Sequence, residues 1–131
     1  MNLIPTLTAD DAGRALNASL EAARTAGVAV TIAIVDAAGA MLALIRMDGA
    51  RAYTVDLATR KARTAAAIGV GTAVLATLYA GKTPPADMMT MPGGVPVLSE
   101  RQTAGAIGVS GATTERDEAI AAAGLAVLVP A

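Results

Sequence analysis

The chain has no cysteine, no histidine, no tryptophan and no phenylalanine among its 131 residues. Disulfides are therefore impossible. So are a Ser-His-Asp triad, a Cys-His pair, the His-Glu-x-x-His zinc helix and thiolate zinc sites, each of which needs a residue type that is missing, and no metal site is expected. Tyr53 and Tyr79 are the whole aromatic complement, so the core must come from Ala, Val, Ile, Leu and Met. Such side chains bury little area each, and at about 25 cal/mol per Å² a lone subunit gains little from them. Subunits are expected to cover one another as a homo-oligomer. Charge is scarce as well, with 10 basic and 11 acidic residues and a net charge of -1. The basic residues are scattered, which leaves no footprint for nucleic acid, and there is no aromatic platform for single strands. Met1 to Pro5 has neither a basic n-region nor an apolar h-region, so no secretory signal is expected and cytoplasmic residence is the default. The uncharged run Thr64 to Gly81 has about the length of a membrane span. Gly69-Val70-Gly71-Thr72 interrupts it, so two buried helical pieces are predicted and no membrane partner.

What is present reads as one domain over 1–131, long enough to bury roughly two-thirds of the surface an unfolded chain exposes. Thr8 with Asp11 forms a capping-box pattern and Gly27 a C-cap, which predicts a first helix through Leu16, Leu20 and Ala23. Val28 to Val35 and Met41 to Met47 read as adjacent strands of a well-covered sheet, joined by a type I turn at Asp36-Ala37-Ala38-Gly39. A second helix should start near Thr54. Val95 to Leu98 predicts a short strand, followed by a polar turn through Ser99, Glu100, Arg101 and Gln102. A glycine-rich strand over Gly105 to Ala112 comes next. Thr114 is expected to cap a last helix, and Leu125 to Val129 a final strand. The sum is an α+β domain with a mainly antiparallel sheet of about five strands.

Glycines at 105, 108 and 111 weaken a strand unless something approaches the backbone closely, either a helix or a ligand. Gly108-Val109-Ser110-Gly111 is not a nucleophile elbow, since the last glycine would have to stand at Ala112. On the second helix, Asp56, Arg60 and Arg63 form a stripe of opposite charges that reads as surface. The other face sets Lys61 alone among Ala58, Ala62 and Ala65. A lysine there snorkels out, meets a carboxylate of the protein, or meets an anionic ligand. Arg46 shares a strand face with Leu42 and Leu44, and its fork suits a carboxylate, whether of a ligand or of Asp48 or Asp36. Lys82 to Gly94 is a long methionine-rich segment with the character of a lid or a subunit contact. The candidate anionic pocket is therefore Arg46 and Lys61 with Met47, lidded by Met91, Gly93 and Gly94 and floored by Gly108 and Ser110. Should the protein be a cofactor-free isomerase, lyase or hydrolase of a small carboxylate, Arg46 and Lys61 would anchor the acid or stabilise developing negative charge, and Glu100 or Asp36 would move a proton. Glu115 and Glu118 in the last helix answer the helix dipole.

Ile34-Val35-Asp36-Ala37-Ala38-Gly39, Arg46-Met47-Asp48-Gly49-Ala50, Lys61-Ala62-Arg63-Thr64-Ala65 and Gly93-Gly94-Val95-Pro96, followed by the glycine strand, resemble the GlcG/HbpS-like family of small haem-binding proteins, also called the haem-degrading domain. The order and spacing match over nearly the whole chain. The resemblance implies profilin-like layers with helices on both sides of the sheet, assembly into dimers, tetramers or octamers, and haem or another anionic small molecule as ligand. Without imidazole or thiolate, haem iron would have to turn to Met, Tyr, Lys or a hydroxyl such as Thr113.

Overall fold

The computed structural model describes residues 1–128, which open on a helix and then run through a strand pair, a helix pair, a second strand pair and a last helix. Helix α1 (Ala9–Ala26) opens on a complete capping box, with the Thr8 amide donating to Asp11 at 2.9 Å and the Asp11 amide to Thr8 Oγ1 at 3.1 Å. Gly27, at φ 70°, closes it. Strands β1 (Thr31–Asp36) and β2 (Met41–Arg46) pair antiparallel, followed by α2 (Thr54–Ile68) and α3 (Thr72–Leu78). The uncharged run is thus two helical pieces, split where Gly69 adopts φ 78°. Among the described residues no helix is long and apolar enough to cross a membrane. These pieces are buried only in part, because Ile68, Val74 and Leu78 are 47%, 50% and 60% exposed.

Strands β3 (Gly94–Ser99) and β4 (Gln102–Ser110) form a tight hairpin, and α4 (Thr114–Ala126) ends the described structure. Among the described residues the sheet has four antiparallel strands in the order β2-β1-β4-β3, where about five were expected. Leu125 and Ala126, expected in a final strand, instead prolong α4, whose buried stripe Asp117, Ile120, Ala121 and Gly124 draws the helix onto the core. Val129 lies outside the described residues. The cap of α4 is Thr113 rather than Thr114, since the Thr113 hydroxyl accepts from the Arg116 amide at 3.2 Å. β2 is an edge strand, so the expected full cover fails there and Leu44 stays 37% exposed.

The two faces of the sheet differ in side-chain size. Ile32, Ile34, Ile107 and Val109 point to α1 and α4 and make the larger core. Ala33, Val35 and Ala106 meet Ala58, Ala62 and Ala65 of α2 on the other side. The register lines Leu44, Ala33, Gly108 and Gly94 across the sheet, so α2 rests on a row that is glycine or alanine over its inner strands. A Cβ on Gly108 would overlap the Ala58 carbonyl oxygen and come within 2.6 Å of the Ala62 nitrogen. The close approach anticipated at the glycine strand is therefore made by a helix.

Candidate functional site

Lys61 sits on the sheet-facing side of α2 because the helical period groups it with Ala58, Ala62 and Ala65. Its side chain, 0% exposed, runs past β3 and β4 to the N-terminal turns of α4. There Nζ donates to the Val109 carbonyl at 2.9 Å and to Asp117 Oδ2 at 3.3 Å. Asp117 Oδ1 accepts from the Ala112 amide at 2.9 Å. Of the three fates open to Lys61, the structure thus shows a protein carboxylate as its partner. Burial pulls the lysine below its ordinary pKa and Asp117 above its own, each opposed by the partner's charge and, for Asp117, by the Ala112 amide. The pair ties the helix on one face of the sheet to a helix on the other. Gly93 makes this possible: it sits at φ 130°, and a Cβ there would stand 2.9 Å from Lys61 Nζ. Among the described residues, no buried side-chain nitrogen or oxygen lacks a hydrogen-bond partner.

The other expected site residues divide between the two ends of the sheet. Arg46 pairs with Thr31, and Thr31 with Ser110, so these three share one row with the Lys61 ammonium close by. Arg46 is exposed and donates to the Ala50 carbonyl at 3.0 Å, in place of the pair with Asp48 or Asp36 considered from sequence. With Met47 it lines a hollow of about 270 Å³ that also touches Leu20, Arg24 and Asp48. Gly94 is filled by the Lys61 carbonyl and Thr72, as Gly108 is by Ala58 and Ala62. Met91 is 45% exposed, whereas Met89 is buried and its amide donates to Thr64 Oγ1 at 3.0 Å, fastening the long segment onto α2.

Asp36 and Glu100 lie at the opposite end. Asp36 pairs with Gly105, and its carboxylate is engaged in the turn, accepting from the Ala38 and Ala40 amides at 2.9 Å each. Glu100 is at the tip of the hairpin, where it and Arg101 take φ 49° and 70°. The structure therefore brings Arg46, Lys61 and Ser110 to one end and leaves the two expected proton carriers at the other.

Two features were missed in the sequence. Asp117 is one; its signal was its place in the stripe with Ile120, Ala121 and Gly124, a lone acid on a buried face to match the lone cation on another. Arg60 and Arg63 are the second, because the stripe taken as plain surface borders two hollows. One, of about 420 Å³, lies between Arg63, Ala67 and the β1–β2 turn. The other, of about 460 Å³, is lined by Arg60, Arg63, Thr64, Ala67, Ala86 and Asp87. No group of three or more acidic residues among the described residues could hold a metal ion.

An uncharacterized 15.0 kDa protein of the dhaT-dhaS intergenic region of Citrobacter freundii is 32% identical over 126 residues, covering 90% of this chain and 89% of that protein. The crystal structure of a double mutant of HbpS from Streptomyces reticuli superposes with a TM-score of 0.92 at 36% identity, covering 99% of this chain and 92% of the other. The crystal structure of a PduOC:heme complex gives a TM-score of 0.85 at 29% identity, over 92% and 94% of the two chains. The family described as haem degrading protein HbpS-like matches residues 7–126, so the chain belongs to the HbpS-like family.

Proposed function

We propose that this protein is an oligomeric ligand-binding protein whose ligand is haem or another small anion. The observation that carries this reading is the likeness, along nearly the whole chain, to a family and to a structure whose names record haem. The residues fit haem iron poorly: there is no imidazole or thiolate. Lys61 is committed to Asp117, and the Thr113 hydroxyl caps α4. Exposed Tyr53, Lys82 and Met91, and Met41 on the edge strand, are among the remaining groups of suitable chemistry. Haem would therefore be held chiefly through its propionates, by arginine at the surface, with a weak axial ligand or none. Titration followed at the Soret band should show micromolar or weaker binding without a two-histidine low-spin spectrum. Nanomolar affinity that survives single replacement of Lys61, Tyr53 and each loop methionine would overturn the ligation argument.

The oligomeric part of this reading is supported by what the fold leaves uncovered. Ile68, Val74 and Leu78 are exposed at the end of α2 and on α3, and Met41 and Leu44 on the edge strand β2. Light scattering at micromolar concentration should give a mass that is a multiple of 12.9 kDa. A stable, folded monomer would sink this part of the proposal. The enzymatic alternative has less in its favour, since Asp36 is engaged in its turn and stands with Glu100 at the far end of the sheet from Arg46 and Lys61.

A further inference from the structure

Resting on the reading that the ligand is an anion, the geometry points to its anchoring place: we infer that Arg63, seconded by Arg60, binds a small carboxylate in the trough between α2, the β1–β2 turn and the segment around Ala86. Four observations converge on it. Arg60 and Arg63 stand at i and i+3, side by side on the helix. Neither belongs to an ion pair among the described residues, whose salt bridges are Arg14–Asp11, Arg24–Glu21 and Lys61–Asp117. Arg63 Nε donates to the Gly39 carbonyl at 3.3 Å, which holds the guanidinium against the turn while the terminal nitrogens keep no acceptor among the described residues. Both hollows, of about 420 and 460 Å³, border Arg63 and Ala67.

The turn itself has nothing left to offer an anion. The Ala37 amide donates to Thr6, those of Ala38 and Ala40 to Asp36 Oδ1, and that of Gly39 to the Asp36 carbonyl. Recognition thus falls to the arginine fork. A planar fork matches a carboxylate in bidentate fashion, and pinning it beforehand reduces the ordering cost of binding. The walls beyond the charges are the methyl groups of Ala37, Ala38, Ala67 and Ala86. They suit a short aliphatic acid or the propionate edge of a larger ligand. Asp87 lines the second hollow together with Arg60 and Arg63, and its charge repels a multiply charged anion more than a singly charged one, which favours a monocarboxylate over phosphate.

The test is NMR titration of the 131-residue chain with sodium acetate, sodium butyrate and inorganic phosphate, observing the arginine side-chain Nε–H signals. Saturable shifts at Arg63 are expected with a carboxylate at millimolar concentration or below, and weaker ones with phosphate. Arg63→Gln should weaken carboxylate binding at least tenfold without moving the melting temperature by more than a degree or so. Ala67→Met, which keeps both charges and fills the shared wall, should weaken it comparably, whereas Arg116→Gln should not. Absence of saturable binding by either carboxylate, equal or tighter binding of phosphate, or affinity unchanged in both Arg63→Gln and Ala67→Met would each overturn the assignment. Haem binding that persists in Arg63→Gln would overturn the site while leaving the ligand-binding function standing.

Discussion

Asp117→Ala should lower stability by about 3–5 kcal/mol, because it strands the Lys61 ammonium in a place where the side chain is 0% exposed. The Val109 carbonyl remains as an acceptor, but a neutral oxygen replaces only part of what a carboxylate supplies. Asp117 also closes the turn before α4 through the Ala112 amide, so the variant loses a local fastening together with the ion pair. Lys61→Met should destabilise too, by leaving the Asp117 carboxylate buried with backbone partners alone. Removing both charges, as Lys61→Met with Asp117→Leu, should recover much of the loss, since a buried pair weighed against apolar side chains of similar volume is often close to neutral. Urea denaturation of the four proteins gives the coupling directly. If the double variant were as unstable as the sum of the single ones, the two residues would not be acting as a pair.

Gly108→Val should be the most disruptive single change on the glycine strand. Even the first carbon would press on the Ala58 carbonyl and the Ala62 nitrogen, and these are helix backbone atoms that cannot turn aside as a side chain can. α2 would have to lift off Ala33, Val35 and Ala106, opening its whole contact with the sheet. About 3 kcal/mol or more is expected, at or above the top of the usual range for overpacking. Gly13→Ala supplies the contrast. That glycine lies inside α1, has nothing within 4 Å of a prospective Cβ, and should gain about 0.5–1 kcal/mol from the reduced freedom of the unfolded chain. Thermal melts of both variants should move in opposite directions. Equal, small shifts would show that the glycine at 108 does not serve helix packing.

Legibility in the sequence followed the range of the interaction. The Thr8–Asp11 box and the Asp36–Gly39 turn were readable because each closes on itself within four residues. Gly108 was readable because a missing side chain inside an apolar strand implies a close neighbour, although whether helix or ligand was not written there. Leu125 and Ala126 are helical rather than extended because they open a short apolar run, and such runs suit strand and helix alike until the packing of the preceding stripe is known. Asp117 lies 56 residues from Lys61, and no local pattern joins them. Its position on the buried stripe of α4 was the available sign, and the two neighbouring acids, Glu115 and Glu118, masked it as ordinary first-turn charge. Arg63 was read as surface because concavity arises from three segments remote in sequence. A helix face shows only which residues are charged, not what stands opposite them.

Lys61 is, in this account, a tie between the two faces of the sheet, and the anion is held by other groups. The most direct test is Lys61→Met followed in two ways on the same preparation, by melting temperature and by haem titration of the folded protein. A fall of several degrees in melting temperature with haem affinity unchanged is the expected result. An unchanged melting temperature together with a tenfold or greater loss of haem affinity would contradict it, and would place the buried ammonium in the ligand site.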